Sequence, residues 1–403
     1  MSVTPDQVVD AGCCSGCGGC TALAADAEMV TVAPGYLRPK FAGPLDDRQL
    51  ETFADVCPGV SLHLDADDGA VSHPVWGPYF SVQTGWATDT DLRFAASSGG
   101  ALSATLVHLL DSGQVDGILH VAASDSPAYG NRNVISRDRG DIMAAAGSRY
   151  APSAPLDGIS EHLDGDARLA FVGKPCDVAA LRGLATSDPR VDDRFPVMLS
   201  FFCAGVPSLA GAEEVVDRLA VQPADLASFR YRGHGWPGRA TATRRDGTTA
   251  SMSYHESWGE VLSRHLQTRC KICPDGVGSF ADLVFADAWE SDDDGFPVFE
   301  EHEGKSAVIA RTSLGQELLD STIAAGRLAV GALDIGELDA IQPGQSNKAT
   351  FGSTRLLALR GFRHVPRFTG FQTVQRTRRG SLRRHLREFV GTLDRRRRGK
   401  MDD

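Results

Sequence analysis

The run Cys14-x-x-Cys17-x-x-Cys20 constrains this chain more than any other feature. Three thiolates separated by two-residue gaps can wrap one corner of an iron–sulfur cube. Gly16, Gly18 and Gly19 relieve crowding there and free backbone amides to bond sulfide. Ferredoxins that use this triple finish it with a Cys-Pro pair, and Cys57-Pro58 is the candidate here. The intervening segment, residues 29–41 plus a helix around Arg48–Ala54, must then fold back to close the site. The alternative is a zinc site with four cysteine ligands, although three cysteines at two-residue gaps are uncommon in zinc ribbons. Cys13 is surplus and reads as a bystander.

Cys176, Cys203, Cys270 and Cys273 remain. Cys270-Lys271-Ile272-Cys273 is a CxxC pair, compatible with zinc, redox chemistry or half of a cluster site. Cys176 and Cys203 each follow an apolar run that reads as a strand, and strand ends of an α/β sheet converge on one edge. The four can meet in space as a second cluster site; the competing reading is buried, unligated cysteine. Nine cysteines also raise the question of compartment. The first residues lack the basic and apolar stretches of a secretory signal, which predicts a cytoplasmic protein with reduced thiols. No apolar run approaches the roughly 18 residues of a membrane span.

The pattern predicts α/β architecture: an N-terminal ferredoxin-like iron–sulfur segment over 1–75, then an α/β flavin-binding domain. Strands are expected at Val115–Ala123, Arg168–Val172, Pro196–Phe202 and Ala281–Ala286. They alternate with helices at Leu102–Leu110, Val178–Leu184, Ala212–Leu219 and Leu314–Ala324. Asp246-Gly247 signals a hairpin within 239–252. Residues 61–75 read as a connecting loop. Ser97-Ser98-Gly99-Gly100 precedes a helix and suits a phosphate or pyrophosphate at the helix N-terminus, or else a plain N-cap. No P-loop is present, and no GxGxxG opens the first strand–helix unit. Residues 355–400 carry 15 Lys and Arg against Glu388 and Asp394, a net +13, whereas residues 1–354 carry −22. An acidic body argues against general nucleic-acid binding.

Taken in order, several segments resemble one family, the coenzyme F420 hydrogenase/dehydrogenase beta subunits. They are Cys14–Cys20 with Cys57-Pro58, Ala96–Gly100, Gly147–Ser153, Phe171–Asp177, Phe202–Ser208, Phe229–Gly238, Cys270–Asp275 and Ala281–Trp289. The resemblance runs from about residue 10 to 345, the end of the catalytic region 76–345, and leaves the basic extension 346–403 outside.

It implies an iron–sulfur flavoprotein with FAD and two four-iron four-sulfur clusters. Cys176, Cys203, Cys270 and Cys273 match the ligands of the cluster near the flavin. Ser98, Gly99 and Gly100 match its phosphate-binding turn, and Ser148, Arg149, Tyr150 and Lys174 match positions lining its site. Arg149 stands where the family often has Lys.

The function implied is an oxidoreductase that couples one-electron transfer with a ferredoxin-like partner to hydride transfer at FAD. The organic substrate is coenzyme F420 or a molecule of the chlorophyll-pathway type. The alternative is an electron-transfer subunit of a larger redox complex with no substrate of its own. Arg230, Arg232 and Arg239 are candidates to receive a polyanionic substrate. His234 and His255 are candidate proton donors, although lone histidines are more often structural. Asp287 and Trp289 either approach the cofactors or pack the core. The basic extension is either a dock for an acidic partner or a solubilising tail.

Overall fold

The computed structural model describes residues 2–289, 302–399 and 401. Its centre is an eight-stranded mixed sheet. Across the sheet the strands run Leu328–Ala332, Ser81–Ala87, Ser306–Ala310, Leu283–Asp287, Val197–Phe201, Leu169–Gly173, Gly117–Ala123 and Asn131–Ser136. The four strands from Leu283–Asp287 to Gly117–Ala123 are mutually parallel, and the flanking strands are antiparallel. The mixed α/β class is the one expected from sequence. The N-terminal segment holds two helices, Pro5–Asp10 and Asp47–Val56, the hairpin Glu28–Val32 with Tyr36–Lys40, and a 3-10 turn, with no repeated strand–helix–strand unit among its described elements.

Alternation along the strands builds two cores, because successive side chains leave opposite faces. Phe171, Met198, Val284 and Ile309 point to one face, packed with Val178, Leu181 and Leu184 of helix Pro175–Ala185. Val172, Leu199, Phe285 and Val308 point to the other, under helices Ala101–Asp111 and Ser313–Ala324. Cys17 and Val56 belong to the first core, so the N-terminal cysteine loop is seated directly on the main domain. A third core joins helix Leu209–Arg218 to a three-stranded sheet, Leu226–Arg230, Ala240–Arg244 and Thr249–Met252, which contains the expected hairpin.

One segment differs from its sequence reading. Residues 61–75 include strand Ser61–His63, whose parallel partner is Arg367–Thr369 from the far end of the chain. The basic C-terminal segment forms helices Pro343–Leu359, Thr373–Arg378 and Leu382–Arg397. Arg376 in it is buried and donates to Pro74 O, Val75 O and Pro274 O, the last directly after Cys273. No described helix is long and apolar enough to cross a membrane.

Candidate functional site

The N-terminal cysteines follow a short helix fixed by a Thr4–Gln7 capping box. Gly16 and Gly18 take φ of +74° and +88°, so the chain reverses twice within the triple. A Cβ at Gly18 would lie 2.5 Å from Asp157 N, so only glycine lets the loop approach this closely. Cys57 caps the end of helix Asp47–Val56, whose own start is locked by Asp46 and Gln49. The inserted hairpin and helix do return the chain, and Cys57 and Cys20 lie within electrostatic reach of Cys14 and Cys17. Burial pushes the Cys17 thiol up to about 11, helped by Asp177, and pushes Cys20 and Cys57 well above the ordinary thiol range. Such thiols ionise readily only against a cationic ligand. Cys13 points elsewhere and donates to the Ala11 and His364 carbonyls.

Cys176, Cys203, Cys270 and Cys273, distant in sequence, line one small cavity together. Cys176 comes from the first turn of helix Pro175–Ala185, and Cys203 follows strand Val197–Phe201. The other two flank the end of the short helical turn Thr268–Lys271. The Val206 N–H donates to Cys270 Sγ at 3.3 Å. Lys348 Nζ grips the Cys203 and Ala204 carbonyls at 3.1 and 2.8 Å. All nine cysteines are free thiols. Among the described residues, no three His, Cys, Asp or Glu side chains are gathered to hold a single metal ion. A cube gives each cysteine its own iron and so sets the sulfurs further apart than one tetrahedral zinc does. Four thiols around one cavity are a donor set that suits such a cluster.

The two cysteine sets adjoin. Ser15 of the N-terminal loop lines the second cavity, and Cys17 and Cys176 lie within electrostatic reach of each other. Between the sets lies Arg269, buried and missed by the sequence reading although it directly precedes Cys270. Its Nη2 donates to Pro58 O at 3.0 Å, next to Cys57. Its Nε and Nη1 have no hydrogen-bond partner among the described residues. Buried donors of this kind need acceptors, and cluster sulfides are acceptors.

A larger cavity of about 310 Å³ opens at the C-terminal ends of the parallel strands. Cys203, Gly205 and Val206 line both it and the four-cysteine cavity. Ser98, Gly100, Ser148, Arg149, Tyr150 and Lys174 all line it. Gly99 stands behind the wall, where its N–H donates to Ser306 Oγ and a Cβ would meet Gly85 O at 2.6 Å. Helix Ala101–Asp111 has no side-chain cap: Gly100, in the left-handed region, precedes it, and the first-turn residues Ala101, Leu102 and Ser103 face the cavity. Ser98 is turned away to Lys305 O and Ser306, and Ser97 accepts from Ser148 N. The uncapped helix start, not a serine hydroxyl, is what the fold offers to an anion.

Two basic residues in the cavity lining are held by partners within the fold. Lys174 is buried, and its Nζ contacts Asp177 Oδ2 at 2.7 Å and Ser153 O and Oγ at 3.1 and 2.9 Å. Burial works against the ammonium, but Asp177 outweighs it and holds the lysine charged. Arg149 spends its fork on Asn131 Oδ1 and the Phe229, Ala128 and Gly130 carbonyls. These contacts, with the Tyr231 ring under the guanidinium, leave no free fork for a ligand.

Arg232 is likewise committed. It pairs bidentately with Asp287 at 2.8 and 3.0 Å, donates to Pro237 O and Ser97 O, and lies over the Tyr254 and Trp289 rings. Trp236 Nε1 completes the Asp287 shell at 3.1 Å. Asp287 and Trp289 therefore both line the cavity and pack its wall. Arg230, Arg239, His234 and His255 do not line it; His234 stacks on Phe94 instead. Two buried acceptors in the wall, Gln345 Oε1 and Asp177 Oδ1, lack partners among the described residues. An uncapped helix for phosphates, unpaired acceptors for ring N–H groups and an aromatic wall fit a flavin nucleotide.

Residues 82–159 and 166–335 match the N-terminal and C-terminal halves of one family, described as coenzyme F420 hydrogenase/dehydrogenase, beta subunit. The chain belongs to this family. A coenzyme F420 hydrogenase subunit beta from Methanococcus voltae is 23% identical over 287 residues, 67% of this chain and 88% of that protein. An F420-dependent formate dehydrogenase subunit beta from Methanocaldococcus jannaschii is 29% identical over 200 residues, 49% of this chain and 50% of that one. A chain of the F420-reducing nickel–iron hydrogenase complex of Methanosarcina barkeri shares the fold, with a TM-score of 0.57 at 22% identity. That match covers 72% of this chain and 96% of the other.

Proposed function

We propose that this chain is the cluster- and flavin-carrying electron-transfer subunit of a larger cytoplasmic redox complex. One observation carries the reading: Cys203, Gly205 and Val206 are a wall shared by the large cavity and the four-cysteine cavity, which itself adjoins the N-terminal cysteines. Relatives named as subunits of hydrogenase and formate dehydrogenase favour this over a self-contained, ferredoxin-linked reductase.

Cys14, Cys17, Cys20 and Cys57 would hold one four-iron four-sulfur cluster, and Cys176, Cys203, Cys270 and Cys273 the other. FAD would occupy the large cavity with its phosphates toward Gly100–Ser103. Bound flavin exchanges electrons in pairs and bound clusters singly, which is the chemistry such a subunit needs.

The protein's own residues set the conditions. First-turn amides of the helix at Ala101 bind anionic groups. Lys174, kept charged by Asp177, places a fixed positive charge in the wall. The Val206 and Arg269 N–H groups supply donors to sulfur. Tyr254, Trp258 and Trp289 exclude water. Coenzyme F420 is the substrate we favour for the subunit. With Arg232 bound to Asp287, recognition of its anionic tail would fall to Arg230 and Arg239 outside the cavity.

The test is Cys203→Ser in protein purified without oxygen. Loss of about half the iron together with a changed flavin absorption band supports adjoining sites. Full iron content contradicts the ligand set.

A further inference from the structure

Helix Leu382–Arg397 is amphipathic in an unusual sense. Its inner face, His385, Glu388 and Thr392, packs on helix Pro343–Leu359, with His385 Nδ1 bonded to Thr354 Oγ1 at 2.7 Å and Glu388 to Arg355 at 2.9 Å. Its outer face carries an apolar row at i, i+4, i+8: Leu382, Leu386 and Val390 are 86%, 63% and 55% exposed. Beside this row run the exposed Arg383, Arg387 and Arg397. Exposed apolar rows framed by charge mark interaction surfaces.

The helix is also wired to the second cysteine site. Arg355 donates through Nε to Glu388 and through Nη1 to the carbonyl of Lys271, which lies between Cys270 and Cys273. One arginine side chain thus separates the outer helix from the CxxC turn.

We propose that the outer face of helix Leu382–Arg397 is the docking surface for an acidic electron-carrier protein, placed to exchange electrons at the Cys270–Cys273 turn. The proposal rests on the cluster assignment above. Charge decides the occupant: the arginines complement a negative surface, and the apolar row supplies the dry centre that a transient protein contact needs. An anionic membrane is disfavoured because a single row of three side chains offers little area for insertion.

The experiment uses the full chain with clusters assembled. Affinity for a small acidic two-cluster ferredoxin is measured at two salt concentrations for wild type, Leu386→Asp and Arg383→Glu/Arg387→Glu. All three substituted positions are exposed, so iron content and melting temperature should match wild type. Each variant should bind about tenfold or more weakly, and wild-type affinity should fall with salt. Unchanged affinity in both variants overturns the proposal. So does binding to phosphatidylglycerol vesicles without ferredoxin binding, or a wild-type dimer that Leu386→Asp dissolves. Iron measured in the same sample separates the two ideas. Iron without ferredoxin affinity sinks the dock alone, whereas affinity without iron sinks the cluster assignment.

Discussion

The two cysteine sites are built by opposite strategies. At the N-terminal site, three cysteines share one short loop whose shape is set by Gly16 and Gly18, and a single helix returns the fourth. The second site has almost no local structure. It exists because the parallel strands Leu169–Gly173 and Val197–Phe201 end side by side and the Thr268–Lys271 turn crosses above them. A local site tolerates changes elsewhere in the fold, whereas a site assembled by sheet topology fails whenever the sheet edge moves. The C-terminal segment serves the second strategy: Lys348, Arg355 and Arg376 all bond backbone carbonyls beside those cysteines.

The sharpest way to break this comparison is ligand removal. Cys270→Ser should remove about four irons and leave the N-terminal site loaded, seen by iron assay and low-temperature electron paramagnetic resonance. Loss of all iron would mean that the sites are not independent.

Acid should act next. Burial lowers the His120 pKa from its usual value to about 4, so the folded state keeps this histidine neutral beside Ser136. The unfolded chain protonates near pH 6.5, and the folded chain does not. Stability is therefore full above that pH and declines as pH falls toward about 4, by at most about 3 kcal/mol. His120→Gln should flatten that decline in urea melts between pH 7 and 4.5. An unchanged pH slope would remove His120 as its source. Because His120 lines the large cavity, the sheet-built site should release iron before the loop-built one.

Gly18→Ala aims at the local site. A Cβ 2.5 Å from Asp157 N, at φ of +88°, should cost about 2 kcal/mol and preferentially loosen the N-terminal site. Equal loss from both sites would contradict a local loop.

The smallest effect concerns the residue that both sites share. Arg269→Gln should make the reduction potential of the adjoining clusters more negative, with Arg269→Lys intermediate, because a buried positive charge favours the reduced form. Potentials unmoved in a spectroscopic redox titration would leave Arg269 as packing alone.

The same contrast explains what was legible in the sequence. Cys14, Cys17 and Cys20 announce themselves by spacing, and the strands around Phe171, Leu199 and Val284 by apolar runs before polar turns. The grouping of Cys176 with Cys270 depends on which strand ends adjoin, and periodicity carries no information about strand order. Strand Ser61–His63 read as loop because its partner, Arg367–Thr369, lies about three hundred residues away in a segment judged by its charge. Arg149, Lys174 and Arg232 were legible as charges of the site, but not what holds each of them in place. Asp177, Asp287 and the Gly130 carbonyl, which claim them, are visible only in the fold.

The central claim is that two iron–sulfur sites adjoin a flavin cavity. Its most direct test is purification without oxygen, followed by iron, sulfide, zinc and flavin quantification. The account expects about eight irons, as many sulfides and one FAD per chain. Zinc in place of iron, with no flavin, would contradict it.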